Sequence, residues 1–279
     1  MRSRRRLKKP SPELDTRLAR RRFERAAGEY AQAARLEAEV GSRMLERLDY
    51  LKIDPLRILD AGSGPAREAR ALRSRYKAAE LVALDFSPAM LSTGRSMWFE
   101  KKKFVCADLA RLPFAAGSVD FVWSNMALHW TEPKAALEEL ARVLVPEGLL
   151  MFSTLGPDTL KELRAAAGEQ RVHRFVDMHD LGDLLVVAGF AAPVMEMEVL
   201  TLTYTRGEQL LEDLRASGQT NARADRPRGL AGKGFLKNIL SSMPDQATFE
   251  VVYGHAWKGA PRKLADGRAI VQFRSPSSS

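Results

Sequence analysis

The chain has one cysteine, Cys106, among 279 residues. A single thiol excludes an intramolecular disulfide and fits a reducing, cytoplasmic compartment. Cys106 falls in an apolar, strand-like run, so it is expected in the core. The 4 histidines are scattered and offer no metal-ligand spacing, so no metal is expected. No apolar run reaches the roughly 18 residues that a membrane-spanning helix needs. The basic run from Arg2 to Lys9 has no apolar stretch after it, so no secretory signal is expected. No internal repeat is visible. Acid is scarce relative to base, with 35 Asp and Glu against 44 Lys and Arg, a net charge of +9 and a pI near 9.8. That balance predicts attraction to acidic surfaces without identifying them. Residues 1–11 read as a disordered basic tail. No aromatic is interleaved in the tail to stack bases, which argues against a nucleic-acid arm.

What is present centres on Arg57 to Met90. Arg57–Asp60 reads as a short buried strand, Gly62-Ser63-Gly64-Pro65-Ala66 as a turn, and Arg67–Tyr76 as a helix. Leu81–Leu84 is a second apolar strand ending in Asp85. Strand, glycine turn, helix and a strand with a terminal carboxylate make a nucleotide-binding βαβ unit. Gly62 and Gly64 let backbone approach a ligand, and Asp85, 21 positions after Gly64, is placed for a ribose hydroxyl pair. A dinucleotide loop reads GxGxxG, and its third glycine position here is Arg67. Asp60, at the strand end, would repel a pyrophosphate and suits a ligand carrying an ammonium group. S-adenosyl-L-methionine (SAM), with a ribose, an adenine, an α-ammonium and no phosphate, fits these residues better than NAD.

The rest of the chain alternates in the same way. Ser11 to about Leu48 has a helical pattern, with Phe23, Ala26, Ala27 and Tyr30 on one stripe. Core packing would explain that stripe, and so would a lid over the cofactor mouth. Ser87 and Pro88 start a helix. Phe104–Ala107 is a third strand ending in Asp108, whose carboxylate is placed to accept from an adenine amino group while the N–H of Leu109 reaches a ring nitrogen. Phe86, Met90, Ser124 and Asn125 complete the expected cofactor-binding set. Val119–Trp123 is a fourth strand, Glu132–Leu144 a helix and Leu149–Thr154 a fifth strand. Helices follow over Gly156–Ala167, Asp180–Ala188 and Arg206–Ser217, with strands at Val194–Tyr204 and Thr248–Trp257. Asn221–Lys233 reads as a polar, basic loop, and the chain from residue 259 as a loose tail. The alternation predicts an α/β, doubly wound sheet.

At this order of elements the sequence resembles the class I SAM-dependent methyltransferases over about residues 12–258. That resemblance implies a Rossmann-like sheet of seven strands, the last antiparallel, with a lid helix at 12–50, a cofactor-binding core at 57–155 and substrate-side elements at 156–258. Phe23–Tyr30 (FERAAGEY), LDAGSGPA, ALDFSPAML, WSNMALHW, FSTLGPDTLKELR and RFVDMHDLGDLLVVAGF together resemble the malonyl-[acyl-carrier protein] O-methyltransferases, which open biotin synthesis. The superfamily's common third glycine is Ala66 here, small enough for the same loop. The same segments also resemble a mitochondrial assembly factor of respiratory complex I, a protein-arginine hydroxylase family on this fold, and that is the alternative. Ser124-Asn125-Met126-Ala127 lacks the Asn/Asp-Pro-Pro-aromatic motif of amino-directed base methylation.

The resemblance implies a malonyl thioester, on acyl-carrier protein or coenzyme A, whose free carboxylate takes the methyl. A carboxylate is ionised at neutral pH, so no general base is needed and none is assigned. Burying it requires a cation, best a bidentate arginine. Arg164 and Arg174 are the candidates, with Tyr30, His129 and Trp130 expected around the substrate. Carrier proteins are acidic as a class, and Arg223, Arg226, Arg228 and Lys233 are the expected docking surface. The chain is expected to act as a monomer, without nucleic acid or membrane.

Overall fold

The computed structural model describes residues 14–96, 103–229, 232–242 and 244–260. The basic tail and all but the first two residues of the C-terminal tail lie outside them. In chain order the elements are α1 (Thr16–Ala26), α2 (Tyr30–Ala33), α3 (Arg35–Arg47), β1 (Arg57–Ala61), α4 (Ala69–Arg75), β2 (Glu80–Asp85) and α5 (Pro88–Ser96). Then come β3 (Lys103–Cys106), β4 (Val119–Ser124), α6 (Pro133–Val143), β5 (Leu144–Leu155), α7 (Lys161–Ala167) and α8 (Met178–Val187). The chain continues through β6 (Phe190–Thr203), α9 (Gly207–Ala216), α10 (Lys233–Ser242) and β7 (Gln246–Lys258).

The strands form one 7-stranded sheet in the order β3-β2-β1-β4-β5-β7-β6. β7 runs antiparallel to both neighbours, and the other pairings are parallel. Order reverses between β1 and β4, so a crevice opens at the carboxyl ends of those strands.

Burial explains the strands. Ile58, Phe121, Trp123, Leu149 and Met151 face one core, while Leu59, Val122, Leu150 and Phe152 face the other. Alternating residues serve opposite faces because the pleat has a period of two, and helices cover both faces. α6 closes one face with Ala136, Leu137, Leu140 and Ala141, and Glu132 caps it by accepting from Lys134 and Ala135 N–H. Ser87 caps α5 by accepting from Met90 N–H at 3.3 Å.

Four details depart from the sequence reading. The N-terminal helical pattern is broken into α1, α2 and α3, which bring Phe23, Tyr30 and Glu37 to the wall of one crevice. Helix α7 starts only at Lys161, because Leu160 sits at φ 56°. Helix α10 was not anticipated; its apolar residues follow a loop whose composition masks the change. Cys106 is exposed, not buried. β3 is an edge strand paired only with β2 among the described residues, so one side of its apolar run has nothing to pack on.

Candidate functional site

Gly62, Gly64 and Ala66 take φ of 78°, 53° and 57°, curling the loop after β1 so that its amides turn inward. Gly62 and Ser63 N–H both donate to the Leu84 carbonyl, at 2.8 and 2.9 Å. A Cβ on Gly62 would lie 2.2 Å from Ala127 Cβ, so glycine is required where this loop meets the segment after β4. Asp85, at the end of β2, accepts Gly64 N–H at 2.9 Å and Ser87 N–H at 2.7 Å. Burial pushes its carboxyl up to about 6, against the pull of those two N–H groups.

Asp60, near the end of β1, does not itself line the crevice. It is 1% exposed, its Oδ2 has no hydrogen-bond partner among the described residues, and burial with Glu68 and Asp85 nearby holds its pKa well above the usual range. Glu37 and Glu68 are also buried and pushed up by desolvation. Asn125 joins them, donating to the Glu37 carbonyl at 2.9 Å and to Glu68 at 3.4 Å while accepting from Ser153. Gln219 donates to the Glu37 carboxylate. Arg67 is the cation whose charge acts on Glu37 and Glu68, partly offsetting the burial that raises them.

The mouth is aromatic. Phe23 of α1 packs against Trp130 (5.1 Å, edge-on), Phe86 (5.7 Å) and Tyr30 (6.3 Å). Burial, and then Glu37, Glu68 and Asp85, keep the Tyr30 phenol protonated. Met90, Asp108 and Leu109 complete the wall. Asp108 is exposed and accepts Ala110 N–H at 2.9 Å. The structure therefore brings Tyr30, Gly62, Gly64, Asp85, Phe86, Met90, Asp108, Leu109, Asn125 and Trp130 around one crevice, whereas Asp60 is not among its lining residues. Ser124 stands apart: its hydroxyl donates to the Ala61 carbonyl at 2.9 Å, tying β4 to β1.

The expected substrate residues scatter. Arg164 donates to the Pro157 and Thr159 carbonyls at 2.8 and 3.0 Å and lies 3.5 Å from Glu169, closing the turn before α7. Arg174 and His129 border a separate cavity of about 190 Å³. His129 is 7% exposed, with Nδ1 3.2 Å from Thr154 Oγ1, and burial keeps it neutral. His173 donates from Nε2 to the His129 carbonyl at 2.7 Å and stacks on Trp130 at 4.8 Å. Burial lowers its pKa to about 4.

The expected docking set also divides. Arg223 is 6% exposed, holds Asp225 through two N–H groups at 2.8 and 2.7 Å, and donates to the Glu169 carbonyl. It is a buried brace and not a docking residue, because Asp225 two positions on folds the basic loop back on itself. Arg226 is half-buried, Arg228 is exposed and Lys233 opens α10.

Sequence reasoning missed Glu37, Gln219 and Thr131 in the crevice wall. Glu37 carried a signal, since it interrupts the apolar stripe of Leu36, Val40 and Met44. Gln219 carried none; Gly218 at φ 76° turns it inward from the end of α9.

Comparison with known proteins places this geometry. Residues 59–152 match a family model described as a methyltransferase domain. Two relatives named malonyl-[acyl-carrier protein] O-methyltransferase cover almost the whole chain. One, from Methylovorus sp., is 48% identical over 95% of this chain and 97% of its own length. The other, from Gallionella capsiferriformans, is 50% identical over 93% and 96%. The chain belongs to the malonyl-[acyl-carrier protein] O-methyltransferase family. Solved structures agree on the fold: the YcgJ protein of Bacillus subtilis superposes with a TM-score of 0.60 at 16% identity, covering 80% of this chain and 99% of its own. The family's methyl donor fits the crevice on the residues' own terms, since Glu37, Asp85 and Asp108 line it and no lysine or arginine does among the described residues, which suits a cationic ligand.

Proposed function

We propose that this chain uses SAM to methylate the free carboxylate of a malonyl thioester on acyl-carrier protein. The product is the malonyl-carrier methyl ester from which biotin (pimeloyl) synthesis starts. The observation that carries the reading is near-full-length identity of about half to relatives of that name, on a chain whose sheet switch point holds an acid-lined crevice.

In this reading Asp85 takes the ribose hydroxyls, Asp108 and Leu109 the adenine, and the Gly62–Gly64 backbone the amino-acid end, with the Asp60 charge acting from behind the lining. Bound there, SAM supplies an electrophilic methyl, so the acceptor oxygen gains an O–CH3 bond as the S–CH3 bond breaks, with no proton to move. The chain's task is therefore positioning and exclusion of water. Phe23, Trp130 and Phe86 form the apolar rim that keeps water out. Neutral His173 behind Trp130 fixes its ring plane. Methylation turns an anion into a neutral ester, which lets machinery built for hydrocarbon chains accept the product.

Incubation with methyl-labelled SAM and malonyl-carrier protein, malonyl-coenzyme A or RNA tests the reading. A base-labile methyl ester on the malonyl thioesters is expected, and label in RNA or in neither thioester sinks it.

A further inference from the structure

Beside the cofactor crevice lies a second cleft of about 440 Å³, sharing Trp130 and Gln219 with it. Its wall carries Arg22, Arg171, Arg215 and Arg226, and among the described residues no aspartate or glutamate. The two chambers have opposite charge: Glu37, Asp85 and Asp108 line the first, and the charged side chains among the described lining of the second are all arginines. A cationic donor and an anionic acceptor would sort between them by charge alone.

Within the second cleft Arg22 and Arg226 form a pair. Arg22 precedes Phe23, whose ring lines the cofactor crevice, so this guanidinium starts one residue from the donor's wall. Arg22 donates to the Asn221 carbonyl. Arg226 donates to the Arg223 carbonyl at 2.7 Å and lies 3.4 Å from Asp15. Asp15 also caps α1 by accepting Leu18 N–H at 3.0 Å. Asp15 thus contacts one of these half-buried guanidiniums and acts on the other through its charge alone, while it also caps α1. Burial, and next the Arg226 charge, hold the Arg22 proton affinity below its ordinary value, with the Asp15 charge pulling the other way. Beyond the pair the cleft becomes apolar, with Leu160, Leu163, Leu211 and Phe249, and Arg171 lies over the Phe235 ring at 4.2 Å.

We infer that Arg22 and Arg226 form the subsite for the acceptor's carboxylate, holding one oxygen while the other faces the methyl donor past Trp130. The inference rests on the malonyl-methylating reading and assigns a cation beside the donor crevice, where neither Arg164 nor Arg174 lines either chamber. It also gives a specificity rule: thioesters without a terminal carboxylate lose the paired charge and gain nothing else.

The test is calorimetry with malonyl-coenzyme A and acetyl-coenzyme A in the presence of S-adenosylhomocysteine, on wild type and on Arg22→Gln, Arg226→Gln, Arg22→Lys and Arg226→Lys. Wild type should prefer malonyl-coenzyme A. The glutamine variants should lose about tenfold to a hundredfold of that preference, the range expected for a charge-assisted contact. Acetyl-coenzyme A and SAM affinity should stay unchanged, which also reports an intact fold. The lysine variants, which keep charge but not the fork, should retain part of the preference. Equal weakening of both thioesters would mean that the pair holds the phosphates of the arm, and overturns the assignment. If wild type makes malonyl methyl ester and the glutamine variants keep the full preference, the subsite falls while the function stands. If wild type makes no ester, the function falls and takes the subsite with it.

Discussion

Asp85 accepts the backbone N–H of Gly64 at 2.9 Å with one oxygen and that of Ser87 at 2.7 Å with the other. One carboxylate at the end of β2 therefore fixes both the glycine loop after β1 and the start of α5. Asp85→Ala leaves two buried N–H groups without partners, at a cost of about 1–3 kcal/mol each at most. SAM affinity should drop at least tenfold, read by calorimetry, since loop and ribose contact are lost together. A variant binding SAM as tightly as wild type would remove Asp85 from the site.

The buried acids set a pH dependence whose sign follows from their upward shifts. Asp60, Glu37 and Glu68 are raised in the folded chain, and Asp85 is raised to about 6. Groups raised on folding contribute stability that is full below their unfolded values, near 4, and is lost as pH rises through the folded ones. At neutral pH the ligand-free crevice is therefore under electrostatic strain that a cationic ligand relieves. Asp60→Asn should raise the ligand-free melting temperature at pH 7.5 while weakening SAM binding. For wild type, SAM should bind about tenfold more weakly at pH 5 than at pH 7.5, as expected for one carboxylate titrating near 6. A pH-independent Kd would exclude these acids from the ligand's surroundings.

Gly62 and Gly64 share a left-handed backbone but not the same neighbours. A Cβ at Gly62 meets Ala127 Cβ at 2.2 Å, whereas at Gly64 the nearest atom is a Tyr30 ring carbon at 3.7 Å. Gly64→Ala should cost about 1–2 kcal/mol, the backbone term alone. Gly62→Ala adds overpacking and should cost about 2–5 kcal/mol. Denaturant titration of the pair checks the order, and equal losses would contradict it.

What the sequence revealed about this site follows from distance along the chain. Asp60, Gly62, Gly64, Asp85 and Asp108 come at successive strand ends, and a parallel sheet brings such ends together whatever the details of packing. Arg22 and Arg226 could not be paired in that way, because their meeting depends on how α1 settles against the loop after α9. Glu37 and Gln219, 182 positions apart, illustrate the same limit. Composition misled at Arg223, where a basic, glycine-bearing loop looks solvated but Asp225 supplies an internal partner. At Cys106 the apolar neighbours were real, and only the strand's edge position, a property of the whole sheet, leaves the thiol exposed. Native-state alkylation should modify it without prior unfolding, and protection until the melting transition would contradict its exposure.

Arg164 offers the sharpest contrast between a residue's type and its role. As the arginine after the fifth strand it suits a malonyl clamp, yet its Nη1 and Nη2 are occupied by the Pro157 and Thr159 carbonyls at 2.8 and 3.0 Å. Those carbonyls belong to the turn in which Leu160 takes φ 56°, so the guanidinium holds a strained entry into α7. Arg164→Ala should therefore lower stability by about 1–3 kcal/mol, the cost of unpaired carbonyls and a released turn. Because Arg164 lines neither the cofactor crevice nor the cationic cleft, kcat/KM for the malonyl thioester should stay within about twofold of wild type below the melting transition. A selective rise in malonyl KM with an unchanged melting temperature would return Arg164 to the substrate site.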